Sequence, residues 1–239
     1  MKILGMDTSS MAASVAVVED DNLICEFTVN NKKTHSQKLM PMIENMLSMS
    51  DLSIKDMDLL AVCIGPGSFT GLRIGMATVK AMAHVNNIPI IAVNSLESLA
   101  NNINFCDRKI CCILDAQKNQ VYSAKYKFEN GEMIELDGVD VVEFDALVDG
   151  IVSTNEEFII VGEAVYKYKD KLENIKNIKI PSPANNVSNA GSLCSLALNK
   201  YNKNIDVHTC YTINPMYIRK SQAEVQQYDE KMKRLNNGR

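Results

Sequence analysis

Apolar residues in this chain come in short runs separated by polar breaks, and the order of the runs repeats. Ile3 to Met6 is apolar and ends in the polar turn Asp7-Thr8-Ser9-Ser10. Ala12 to Val18 alternates small and branched residues until Asp20-Asp21-Asn22 breaks it, and Leu23 to Val29 resumes the alternation. Runs of this length bounded by turn residues read as strands, and three in succession on tight turns predict an antiparallel meander. Helical spacing follows from Ser36 to Met49, with Pro41 tolerable only near the first turn. Next come a strand at Leu59 to Ile64, a helix from Gly71 to Asn86, a strand at Ile90 to Val93 and a helix from Ser95 to Ile103. The order βββαβαβα predicts a mixed sheet with helices on its faces.

The second half reads the same way with a weaker signal. Ile110 to Asp115 and Gln120 to Phe128 are strand-like, and a hairpin around Gly131 continues into Ile134 to Leu136. A helix from Glu143 to Val148, a strand from Phe158 to Val161 and a helix from Val187 to Tyr201, with Ser188 as its cap, complete the unit. The pattern predicts a duplicated α/β architecture: one domain over 1–104, a second over 105–220, and a polar tail over 221–239 that is frayed or disordered.

Composition narrows the class. A net charge of −4 and a pI near 5.5 argue against a surface that grips nucleic acid by itself. No apolar run approaches the roughly 18 residues of a membrane span, and the N-terminus turns polar too early for a signal peptide, so the expectation is a cytoplasmic protein without membrane contact. The seven cysteines form no CxxC pair, and His35, His84 and His208 have no i,i+4 histidine partner. Neither a disulfide framework nor a zinc site is predicted.

The densest motif is Gly65-Pro66-Gly67-Ser68-Phe69-Thr70-Gly71-Leu72-Arg73-Ile74-Gly75. Pro66-Gly67 carries type II turn chemistry and Thr70 is a good N-cap, so a strand turns sharply into a helix. Exposed backbone N–H groups at that helix start can bind an anion. Equally, Gly71 and Gly75, one turn apart, can let helix and sheet approach closely.

Two helices carry more apolar girth than one buried stripe requires. The earlier holds Leu39, Met40, Met42, Ile43, Met46, Leu47 and Met49; the later holds Leu72, Ile74, Met76, Ala77, Val79, Ala81, Met82, Ala83 and Val85, leaving only the stripe Arg73, Lys80 and His84. Ordinary packing against the sheet and each other explains part of this. The width favours a subunit interface formed by Leu39, Met40, Ile43, Met46, Leu47, Leu72, Arg73, Met76, Val79, Lys80 and Ala83.

Asp7-Thr8-Ser9, GPGSFTGLRIG at 65–75, Asp115-Ala116 with Tyr122, and Pro215-Met216-Tyr217-Ile218-Arg219 occur in an order and spacing that resembles the TsaB (YeaZ) family of bacterial tRNA threonylcarbamoyladenosine biosynthesis proteins. The resemblance implies an actin-like ATPase fold of two ribonuclease-H-like halves. It further implies a non-catalytic scaffold subunit docking on the related TsaD, which carries the transfer of a threonylcarbamoyl group to N6 of the adenosine beside the anticodon. A TsaE-like ATPase joins that complex, tRNA meets this subunit only through it, and the subunit alone forms a homodimer through the same helices. The family's TsaD-type metal motif, His-x-x-x-His, falls here on Ser95 and Leu99, which ligate poorly or not at all. Actin-like phosphate turns carry glycine, whereas Asp7-Thr8-Ser9 has none and Gly162-Glu163-Ala164 has one. The expectation is no required cofactor, with at most a vestigial ATP or ADP site with magnesium at Asp7, Thr8 and Ser9. The alternative is a stand-alone nucleotide-hydrolysing or peptidase-like enzyme.

Overall fold

The computed structural model describes residues 1–31 and 34–219, so the tail expected over 221–239 lies outside the described residues. The first meander is β1 (Lys2–Asp7), β2 (Ala13–Glu19) and β3 (Asn22–Val29), followed by α1 (His35–Met49), β4 (Leu59–Gly65), α2 (Phe69–Asn86), β5 (Ile90–Asn94) and α3 (Ser95–Asn101). The second is β6 (Lys109–Asp115), β7 (Gln120–Glu129) and β8 (Glu132–Glu143), followed by α4 (Phe144–Ser153), β9 (Phe158–Val161), α5 (Ala164–Lys167), α6 (Lys169–Leu172) and β10 (Ile178–Lys179). The chain then forms α7 (Ala190–Asn202) and β11 (Val207–His208).

The two sheets run β11-β5-β4-β1-β2-β3 and β10-β9-β6-β7-β8. In each, the first strand pairs antiparallel with the second and parallel with the fourth of its half. This is the same ribonuclease-H-like order twice, as the repeated βββα pattern predicts. β1, β2, β4 and β5 are covered on both faces, which is why they read as continuous apolar runs, whereas the edge strand β3 is half exposed.

The halves are interlocked rather than serial. α7 lies on the first sheet, where Ala190, Leu193, Cys194 and Ala197 pack with Ile3, Ala16, Leu59 and Val93. α3 packs in turn on the second, with Leu96, Leu99 and Ala100 against Ile110, Cys112 and Tyr126. β11 pairs antiparallel with β5, so the first sheet draws a helix and a strand from beyond residue 105. Asn189 caps α7 by accepting from Ser192 N at 2.8 Å, in place of the expected Ser188. Pro41 sits mid-helix, not in the first turn. It lies on the exposed side of α1, where solvent can satisfy the carbonyl its missing N–H leaves free.

The proposed interface set requires correction. Leu39, Ile43, Met46, Leu47, Met76, Val79 and Ala83 are all buried within this protomer, in one cluster with Leu4, Met6, Val15, Val17, Leu60 and Val62, and Leu72 is buried as well. α1 covers β2 and β3, α2 covers β4 and β1, and the two helices also touch each other. Each therefore needs apolar residues toward the sheet and toward its neighbour, and that accounts for the excess girth. Met40, Arg73 and Lys80 alone of the set reach the surface.

Candidate functional site

The glycine motif folds onto the loop that follows β1. Thr8 Oγ1 donates to Gly71 O at 2.8 Å, and Ser68 N donates to Ser9 O at 2.6 Å. A Cβ on Gly71 would overlap the Thr8 carbonyl, one on Gly67 the Ser9 carbonyl, and one on Gly75 would sit 2.5 Å from Thr8 Oγ1. Of the two readings of this turn, close packing is the one formed. The N–H groups of Ser68, Gly71 and Leu72 are engaged by Ser9 O, Ser68 Oγ and Ser68 O, so they do not point at an open anion site. Two local expectations change. The helix begins at Phe69 with Ser68 as its cap, leaving Thr70 exposed in the first turn. The Gly65–Pro66 peptide is cis, with positive φ at Gly65 and Gly67, so the expected type II turn is not the one formed.

Asp7, Thr8 and Ser9 are consequently sealed. Asp7 Oδ1 accepts from Ser9 N at 2.8 Å and Ser9 Oγ at 2.7 Å, an Asx turn closed on itself. Burial pushes the Asp7 carboxyl above its ordinary range, only partly countered by those hydrogen bonds. A carboxyl that is fully buried and has committed an oxygen to its own loop is a poor cation ligand.

Beside it, the cleft between the halves holds the carboxylate of the Gly162-Glu163-Ala164 turn. Glu163, just after β9, accepts from Met11 N at 3.1 Å, and burial raises its pKa, with Asp115 and Asp7 adding repulsion. Asp115 is paired with Lys167 Nζ at 2.8 Å. Ser10 and Ser188 share a hydrogen bond at 3.2 Å across the same cleft. Gly162, the single glycine of the second turn, is used for packing: its φ is 123° and a Cβ would overlap the Ile113 carbonyl, while its N–H donates to Asn186 Oδ1 at 3.1 Å. Among the described residues no group of three His, Cys, Asp or Glu could hold a metal ion.

Ser95 and Leu99, where the resemblance places lost metal ligands, have structural work instead. Ser95 Oγ donates to Pro66 O, and Leu99 lies in the core beneath the second sheet. The cysteine thiols at 63, 111, 112 and 194 are buried and driven upward by desolvation, so none is primed as a nucleophile.

The segment 213–219 ties the halves together. Ile213 is fully buried, Met216 N donates to Ile64 O at 2.8 Å, and Arg219 Nη1 donates to Ala116 O at 2.5 Å. Pro215-Met216-Tyr217-Ile218-Arg219 is visible in the sequence as a motif, but its placement across the cleft has no sequence signal.

Comparison with known proteins agrees with this geometry. The family described as "TsaD: tRNA N6-adenosine threonylcarbamoyltransferase" matches residues 22–227. The tRNA threonylcarbamoyladenosine biosynthesis protein TsaB of Bacillus subtilis is 31% identical over 226 residues, spanning 94% of this chain and 96% of the relative. TsaB of Escherichia coli is 36% identical over 135 residues, 55% of this chain and 58% of the relative. The solved structure of YeaZ from Pseudomonas aeruginosa superposes with a TM-score of 0.74 at 23% identity, covering 90% of this chain and 99% of that one, and so shares the fold. Full-length relatedness at this level, with the glycine motif locked on the β1 loop, places the chain in the TsaB (YeaZ) family.

Proposed function

We propose that this chain is a non-catalytic subunit of the assembly that attaches a threonylcarbamoyl group to tRNA, and that it docks on a TsaD-like catalytic partner through the outer faces of α1 and α2. The observation that carries this reading is the sealed β1 loop. The positions where a fold relative would hold phosphate or metal are here consumed by contacts within the chain, namely Asp7 with Ser9, Thr8 with Gly71 and Gly75, and Gly162 with Ile113. This chain requires no nucleotide of its own; weak binding of ATP or ADP with magnesium belongs where two subunits meet. A TsaE-like ATPase and tRNA join through the partner, and the chain self-associates when alone.

The docking surface is redrawn from the sequence expectation. The buried side chains are withdrawn from it, which leaves Met40 and Met49 exposed on α1 and Ala77, Ala81 and Val85 exposed on α2. Val85 is 80% exposed and Met49 75%, high for large apolar side chains on neighbouring helices.

Size-exclusion chromatography of the chain alone and mixed with its TsaD counterpart tests the proposal. The wild type should co-elute with the partner, and Val85→Asp combined with Met49→Asp should abolish co-elution while the thermal midpoint moves little. Sustained phosphate release from ATP by the purified chain without any partner would overturn the non-catalytic reading and favour the stand-alone hydrolase.

A further inference from the structure

Two motifs from opposite ends of the sequence meet at the start of α2. Phe69 and Arg73 come from the glycine motif and Tyr217 from the cleft-spanning segment. The Phe69 and Tyr217 rings stack with centroids 4.1 Å apart and planes 8° from parallel. The Arg73 guanidinium carbon lies 4.6 Å from the Phe69 centroid and 5.8 Å from that of Tyr217. Arg73 Nε donates to Tyr217 Oη at 3.1 Å. Cation–π contact and this bond hold the guanidinium in one pose, while Arg73 remains exposed and pairs with no carboxylate among the described residues. A fixed guanidinium presents its remaining N–H groups as a planar fork, the geometry that grips a carboxylate in two parallel hydrogen bonds.

We infer that Phe69, Arg73 and Tyr217 form a preorganised anchor for an Asp or Glu side chain of the partner protein. The inference rests on the docking reading above and names the specific group it recognises. Arginine and tyrosine are among the side chains enriched at the energetic centres of interfaces, and an anchor already ordered before docking loses little conformational entropy on binding. The same helix face continues through Ala77, Ala81 and Val85, small or apolar residues that suit a protein surface. An RNA phosphate would need a run of cations, and the chain's net charge of −4 opposes it.

Isothermal titration against the TsaD counterpart at two salt concentrations tests the anchor. Arg73→Glu should weaken binding about 100-fold or more, and Arg73→Lys about tenfold even though the charge is kept, because the fork is lost. Tyr217→Phe, which keeps the stack and removes the hydroxyl, should weaken it a few-fold. Thermal midpoints of all three should stay near wild type, and Arg73→Glu binding should be restored by a carboxylate-to-lysine substitution on the partner's docking face. Wild-type affinity in Arg73→Glu overturns the anchor alone. Loss of tRNA binding by an otherwise intact Arg73→Glu complex overturns it in favour of a phosphate contact. A wild-type chain that does not bind the counterpart overturns the docking reading together with the anchor.

Discussion

The two halves share one topology and use the same corner differently. In the first, the strand equivalent to β9 turns into α2, a helix from Phe69 to Asn86 whose glycines press on the β1 loop. In the second, β9 turns through Gly162 into α5 and α6, each a single turn. The loops beneath them differ accordingly. Asp7 to Ser10 is sealed, whereas Asp115 is exposed and is followed by Gln117, Lys118 and Asn119, all with positive φ. The shared feature is a glycine that lets the strand-to-helix turn touch the neighbouring strand end. The divergent feature is how much helix follows, and that decides which half can present an extended surface.

The sharpest way to break this comparison is to charge the buried side of α2. Met76 lies in the same core as Leu4, Leu60 and Val62, so Met76→Glu should cost more than about 4 kcal/mol and unfold the chain under ordinary conditions. Val152→Glu on α4, where the residue is 43% exposed, should shift stability by less than about 0.5 kcal/mol. Chemical denaturation of both variants is the check. A folded Met76→Glu protein that merely loses its partner would restore the interface expected from helix girth alone.

Next in size are the paired glycines. Gly71→Ala places a methyl on the Thr8 carbonyl, and Gly162→Ala places one on the Ile113 carbonyl at a φ of 123°. Backbone cannot retreat as a side chain can, so each should destabilise by about 3 kcal/mol. If only Gly71→Ala does so, the correspondence between the corners is superficial.

Much of this arrangement is legible in the sequence, for identifiable reasons. Two-period and 3.6-period runs are local, and they locate the strands, α1, α2 and the duplication. Gly71 and Gly75 on one face state their packing role as soon as the helix is placed. Three things are not legible. Apolar girth counts how many sides of a helix are covered without saying whether a neighbouring helix or another polypeptide covers them, which is why Leu72 and Val79 read as outward-facing. β11 is two residues long and joins the first sheet only by tertiary pairing with Ile90 and Ile91. Glu163 is one glutamate among many, and its contact with Met11 spans a sequence separation of 152.

A smaller effect is the response of the sealed loop to pH. The folded-state pKa of Asp7 lies above its unfolded value, so the native state holds the proton more tightly than the unfolded chain. The contribution of Asp7 to stability should therefore fall as pH rises from the ordinary aspartate value of about 3.9 through the raised folded one, and Glu163 contributes with the same sign. Asp7→Asn keeps an oxygen for Ser9 N and removes the buried charge. It should flatten the pH dependence of the thermal midpoint over that window and raise the midpoint at neutral pH. A midpoint that gains more with pH in the wild type than in Asp7→Asn across the window would show that the Asp7 carboxylate is stabilised in the fold.

The smallest expected change is a gain. Gly150 lies inside α4 without positive φ, and a Cβ added to it would meet nothing within 4 Å, so it contributes backbone freedom to the unfolded chain and no packing to the folded one. Gly150→Ala should stabilise by about 0.5–1 kcal/mol, a rise of about 2–4 °C per kcal/mol in the thermal midpoint for a chain of this size. Gly75→Ala, equally helical but with its methyl 2.5 Å from Thr8 Oγ1, should do the opposite. Opposite signs for one substitution in two helices would isolate the cause as the contact with the β1 loop, because helix propensity favours alanine at both positions. Equal signs would mean that α2 can shift away from Thr8, and that the seal over Asp7 is looser than its hydrogen bonds imply.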